Sequence, residues 1–133
     1  MDVETMTARA LAFPGAWADN PWDHEHPVVK VGPGERGKIF AFLRTGAVGV
    51  KSARTREEAD EWLHRYPRDV AVMAHIGRWG WNDLGFGGAI PDDELVAALE
   101  ESYRLVVAGL PVRLRPDGWE DPGRASAVRT PGG

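Results

Sequence analysis

The 133-residue sequence predicts an α+β domain, an antiparallel sheet with helices packed on one face. Three observations lead there. Segments at the two ends and one in the middle repeat apolar residues with the 3.6-residue period of a helix. Between them lie short runs rich in Val, Ile and Phe, bounded by Gly and Pro. The links between consecutive runs are far shorter than the dozen or more residues of a parallel crossover, so neighbouring strands must pair antiparallel.

Val3 to Phe13 reads as the first helix, with Met6, Ala10 and Phe13 sharing a face. Pro14-Gly15 ends it, because proline disfavours a helical residue before it. From Trp17 to Lys51 the pattern turns to short apolar stretches. Pro27–Val31 is a strand, Gly32–Gly37 a loop, Lys38–Leu43 a second strand, and Val48–Lys51 a third after the Thr45-Gly46 turn. Thr55-Arg56-Glu57-Glu58 has the spacing of a capping box. The helix behind it aligns Ala59, Trp62, Leu63 and Tyr66 and stops at Pro67. Val70–Ile76 and Trp81–Phe86 read as a hairpin around the turn Gly77-Arg78-Trp79-Gly80. Pro91 fixes the start of the last helix, and Asp92, Asp93 and Glu94 suit the positive end of its dipole. Leu95, Leu99, Ser102, Val106 and Leu110 keep its period until Pro111. The predicted order is α-β-β-β-α-β-β-α: one domain over 1–115, then a loose Pro- and Gly-rich tail over 116–133. With helices on one face, function belongs to the other face or to its hairpin tips.

Hydrophobic residues make up 43% of the chain, enough for one core. No apolar run approaches the ~20 residues of a membrane helix. The acidic start, Met1-Asp2-Val3-Glu4, is unlike a secretory signal. No cysteine is present, which excludes disulfides, thiolate metal sites and cysteine nucleophiles. A reducing cytoplasm is the expected location. The net charge of −4 argues against a nucleic-acid partner, but it is unevenly spread. Between Val28 and Trp81 ten Lys and Arg face six acids, leaving a basic middle on an acidic protein.

Four stretches carry a resemblance. They are Leu11-Ala12-Phe13-Pro14-Gly15-Ala16; Val29-Lys30-Val31-Gly32 with Lys38-Ile39-Phe40-Ala41; His75-Ile76-Gly77-Arg78-Trp79-Gly80-Trp81-Asn82; and Glu101-Ser102-Tyr103-Arg104-Leu105-Val106 with Leu110-Pro111. In this order they resemble the MmcQ/YjbR family of small bacterial proteins, over roughly Thr5 to Arg115. The resemblance implies a frataxin-like (CyaY-like) fold and DNA binding through wing-like hairpins. The chain departs from the family pattern at Gly77, in place of an asparagine. It departs also at Trp79 and Gly80, where His and basic residues are common. These changes weaken phosphate contact and strengthen stacking.

The stretch from His75 to Asn82 is the leading candidate surface. Arg78 lies between two indoles, so it can hold a phosphate while Trp79 or Trp81 stacks on a base. The plainer alternative makes Trp81 a core residue and Arg78 a turn cap. Lys30, Lys38, Lys51 and Arg54 are the candidate phosphate contacts, or else solubilising cations on a wet face. A rival reading takes the six tryptophans as a site for a small aromatic metabolite or antibiotic, between Trp17, Trp22, Trp79 and Trp81. A third is a protein-interaction module using an exposed sheet edge.

Asp23-His24-Glu25-His26 has metal-capable side chains but not the i, i+4 spacing of a helical site, and a solvated loop explains it better. His75, Asp83 and Ser102 form a triad only on paper. Gly32-Pro33-Gly34 lacks the Gly-Lys-Ser/Thr ending of a phosphate loop. The expectation is a non-enzymatic, monomeric binding protein with no cofactor or metal, taking DNA or a small aromatic ligand.

Overall fold

The computed structural model describes residues 1–123. It contains α1 (Val3–Leu11), β1 (Ala16–Asp19), β2 (Val28–Val31), β3 (Lys38–Arg44), β4 (Ala47–Lys51), α2 (Arg56–Arg65), β5 (Val70–Val72), β6 (Trp81–Gly85) and α3 (Asp92–Ala108). Short 3-10 turns cover Gly34–Arg36, Gly77–Trp79 and Val112–Leu114. The six strands form one antiparallel sheet in the order β1-β2-β3-β4-β6-β5. The α+β class and the antiparallel pairing are as the sequence predicts. One strand is additional: β1, too short and too polar to show an alternation, pairs with β2 along Ala16↔Val31 to Asp19↔Val28. The expected strand over Val70–Ile76 ends at Val72, because His75 takes a positive φ of 66° and the chain turns.

The helices cover one face. Val29, Val31, Phe40, Val48, Val50 and Leu84 point from the sheet into a core with Met6, Ala10, Phe13, Leu95, Leu99, Tyr103 and Val107 of the helical layer. The apolar stripe expected for the last helix is that face of α3. Pro91 is its N-cap residue, and Thr55 caps α2 by accepting from the Glu58 amide at 3.2 Å. The loose tail expected over 116–133 lies outside the described residues from 124 on. Its first part folds back, with Trp119 packed against the core and the Arg115 guanidinium 5.5 Å from its ring.

The sheet is irregular where β2 meets β3. Val29 pairs with Ala41 but Lys30 with Ile39, so Phe40 is an extra residue, a β-bulge. On the other side of β3 the ladder to β4 stops at Ala41↔Val50. The Phe40 carbonyl and the Lys51 amide are bridged instead by one side chain. The Ser102 hydroxyl donates to Phe40 O at 2.6 Å and accepts from Lys51 N at 2.9 Å. A serine in the apolar stripe of α3 thus closes a gap in the sheet beneath it.

Candidate functional site

The face away from the helices carries Trp17, Lys30, Phe42, Arg44, Gly49, Lys51, Trp81 and Asp83, the alternates of the core residues along each strand. The register sets Lys51 opposite Trp81, and Lys30 opposite Trp17 and Ile39, next to Lys38. These residues therefore share one end of the sheet. The turn Gly77–Trp79 and the loop leading from β4 to α2, with Arg54, lie at that same end.

The turn is built rigidly. Gly80 follows it with φ 93°, and a Cβ there would come within 2.1 Å of the Ala53 carbonyl oxygen, so only glycine lets the two loops meet. Arg56, at the start of α2, anchors the turn from below. Its guanidinium donates to the carbonyls of Gly77 (2.8 Å) and Trp81 (3.1 Å), to Asn82 Oδ1 (2.6 Å), and to Asp60 Oδ1 (2.7 Å). Asn82 is fully buried, and its amide donates to Ser52 Oγ (3.2 Å) and the Ala59 carbonyl (3.0 Å). The linear sequence gives no sign of Arg56 in this role. Its partners in the turn and in β6 lie 21 to 26 positions away, and its place in a capping box already accounts for it.

On this support Trp79 projects with 56% of its surface exposed, and the Arg78 guanidinium lies 4.9 Å from its ring centroid. Lys51 Nζ donates to the Trp79 carbonyl at 3.0 Å, and partial burial lowers the pKa of this ammonium. His75, Arg54 and Lys38 are exposed. Of the expected contact residues, Lys38, Arg54, His75, Arg78 and Trp79 are exposed to a ligand, and Lys51 lies among them half-buried with its ammonium on the Trp79 carbonyl. The rest are already engaged. Lys30 is ion-paired with Asp19 at 2.7 Å and lies over the Trp17 ring at 5.3 Å. Trp81 is 9% exposed and packs edge-on against Phe42, with centroids 5.6 Å apart. Asn82 belongs to the Arg56 network.

The tryptophans of the rival reading do not share a cavity. Trp17 donates from Nε1 to the Gly32 carbonyl at 2.8 Å and lines a shallow apolar hollow with Pro33, Leu114 and Pro116. Trp22 lines a different cleft, with His24, Phe42 and Met73, and Trp79 and Trp81 line neither. The paper triad also separates: Ser102 is buried on the helical side, whereas Asp83 lies on the opposite face and His75 in the exposed turn. In the Asp23–His26 loop, Asn20 closes a turn on the backbone of His24 at 2.7 and 2.9 Å, and His26 Nε2 lies 2.9 Å from Thr45 Oγ1. Among the described residues no three His, Asp or Glu are grouped to hold a metal ion, and no helix is long and apolar enough to cross a membrane.

The YjbR family model matches residues 11–105. The chain belongs to the YjbR family. A solved relative in fold is a Deinococcus radiodurans protein with a DUF419 domain, 23% identical. The two superpose with a TM-score of 0.74 over 85% of this chain and 84% of that one. No curated protein matches the chain. Much of what makes the sequence read as a YjbR protein is scaffold. The Tyr103 hydroxyl donates to the Pro14 carbonyl at 2.6 Å, joining the last of the four stretches to the first. The Tyr103 ring sits 5.1 Å from Phe13 and 5.2 Å from Phe40, which brings in the second. Of the third stretch, Gly77, Gly80 and Asn82 shape the turn, and only Arg78, Trp79 and His75 face outward.

Proposed function

We propose that this YjbR-family chain is a non-enzymatic protein that binds DNA with the basic end of its sheet. The observation that carries this reading is the exposed Arg78–Trp79 stack, held on a turn at the end of the sheet that also carries Lys51, Arg54 and Lys38. An indole presented this way offers a base a stacking surface without regard to its identity, worth ~1–3 kcal/mol per base. The surrounding cations offer phosphates a point-charge contact. Lys30 takes no part, since Asp19 neutralises it.

Four cations imply a modest but definite salt dependence. Neutralising about four phosphates gives log Kobs a slope of about −3.6 against log salt, so affinity falls roughly 150-fold between about 50 and 200 mM salt. The test is a tryptophan-fluorescence titration with mixed-sequence duplex and single-stranded DNA at those two salts. Saturating quenching at low salt with that slope is expected. Arg78→Ala should cut the slope by about 0.9. Trp79→Ala should weaken binding while leaving the slope unchanged. A flat titration at low salt, read out also by fluorescence anisotropy of labelled DNA, would refute the proposal.

A further inference from the structure

We infer that the open face of the sheet holds a second site, for a small planar aromatic molecule with an amidine-like N–H edge, anchored by the carboxylate of Asp83. The site lies on residues that the DNA proposal does not use. A cleft of about 500 Å3 is bounded by Trp22 and His24 from the β1–β2 loop, Phe42 and Arg44 from β3, and Met73 from the end of β5. That volume is in the range of small-molecule sites, roughly 300–1,000 Å3. Two features of the sequence make it. Gly49 lies opposite Phe42 in the sheet, and a Cβ on it would come 2.7 Å from Met73 Sδ, so the missing side chain is what lets Met73 lie on the sheet. Trp22 is 54% exposed, its ring tilted 36° from that of His24 with centroids 5.8 Å apart, an indole with one side uncovered. Phe42, braced edge-on by Trp81, supplies an aromatic wall.

The polar group in this setting gives the ligand its chemistry. Arg44 Nη2 is ion-paired with Asp83 Oδ1 at 2.9 Å, and the Asp83 side chain lines the cleft with 21% of its surface exposed. The carboxylate is partly buried, and burial raises its pKa above the usual aspartate value against the opposing pull of Arg44. A carboxylate can accept several hydrogen bonds, so one ion pair leaves Asp83 able to accept another from the cleft side. A ring that fits between Trp22 and Phe42 and carries two N–H donors on its edge meets both requirements. A ring with a carboxylate would face Asp83 with like charge.

The experiment is calorimetric titration of the full chain with naphthamidine and with naphthoate, which share a ring system and differ in the sign and hydrogen-bonding character of the edge. Saturable binding of naphthamidine and none of naphthoate is expected. Asp83→Asn and Trp22→Ala should each weaken naphthamidine by about tenfold or more. Arg44→Ala should tighten it several-fold, because it removes the cation that competes for Asp83. Trp22 and Arg44 are both exposed, so these two variants keep the test valid even if Asp83→Asn fails to fold. Trp79→Ala should leave naphthamidine binding unchanged, and Trp22→Ala should leave DNA binding unchanged, which separates this inference from the preceding one. Absent naphthamidine binding, equal binding of naphthoate, or an affinity that Trp22→Ala and Arg44→Ala do not alter would overturn it.

Discussion

Replacing Arg56 by alanine tests how the proposed contact surface is held. The guanidinium makes four hydrogen bonds, but they are not equivalent. The Gly77 and Trp81 carbonyls keep other donors when it is removed, the amides of Gly80 (3.0 Å) and Met73 (3.2 Å) respectively. Asn82 Oδ1 keeps none among the described residues, and Asn82 is fully buried. An orphaned buried acceptor costs about 1–3 kcal/mol. The partly exposed pair with Asp60 contributes less, about 0.2–1 kcal/mol. The expected loss is therefore about 2–3 kcal/mol. For a chain between the small and medium size classes, this corresponds to a fall in Tm of roughly 6–15 °C. Urea unfolding followed by circular dichroism measures it. Adding Asn82→Ala in the Arg56→Ala background should cost less than the same change in the wild type, since the bond to Arg56 is already lost and the substitution removes the acceptor left orphaned. In the folded variant, fluorescence anisotropy decay should report a more mobile Trp79, because the turn beneath it has lost its anchor. A stability change under about 0.5 kcal/mol, or fully additive single variants, would refute the account.

Two further perturbations address the scaffold. Ser102→Ala leaves the Phe40 carbonyl and the Lys51 amide without their bridge, and should lower the unfolding free energy by about 2–4 kcal/mol in urea titrations. An unchanged midpoint would show that water or a closing of the bulge replaces the hydroxyl. Tyr103→Phe removes the bond to Pro14 and should cost about 0.5–1.5 kcal/mol near neutral pH. Burial raises the Tyr103 pKa above its ordinary value of 10.0, so its protonated form is favoured by folding. That stabilisation is complete below the ordinary value and is lost as pH rises above it, because only the unfolded chain then ionises. The stability gap between wild type and Tyr103→Phe should accordingly shrink above about pH 10. A constant gap up to about pH 11 would mean that the phenol is not desolvated in the folded protein.

The parts of the fold that were legible in the sequence are those whose evidence is local. The helical period of Leu95, Leu99 and Leu110, the cap at Thr55, and the spacing of the Val- and Phe-rich runs each depend on neighbours within a few residues. The additional strand β1 was not legible, because it is only four residues long and is held by its pairing with β2, a distant partner rather than its own alternation. The candidate site divides along the same line. Trp79 and Arg78 could be named from a turn flanked by glycines. What could not be read was which cations remain available. Lys30 and Lys38 are alike in sequence, each a lysine in a strand, yet the register sets Lys30 against Trp17 and within reach of Asp19 and leaves Lys38 exposed. The same blindness to register hid the cleft, since Gly49, Phe42 and Asp83 come together only across three strands.

This division bears on how a YjbR chain should be compared with its relatives. Residues that carry the family resemblance are mostly those with two or more buried partners: Ser102 beneath the bulge, Tyr103 between Phe13 and Phe40, and Asn82 on Arg56. Each is fixed by geometry whatever the protein binds, so their retention in another chain predicts the fold and says nothing of the ligand. The positions facing water, Trp79 and Arg78 on the turn and Trp22 at the cleft, are constrained by none of those contacts. An exchange at such a position costs little stability, usually within about 0.5 kcal/mol, and so changes binding alone. If the proposed surface is correct, Trp79→Ala and Arg78→Ala should leave the urea midpoint unmoved while abolishing or weakening the DNA titration, the opposite of Ser102→Ala. A loss of stability in Trp79→Ala as large as in Arg56→Ala would place the indole in the scaffold and remove the observation on which the binding proposal stands.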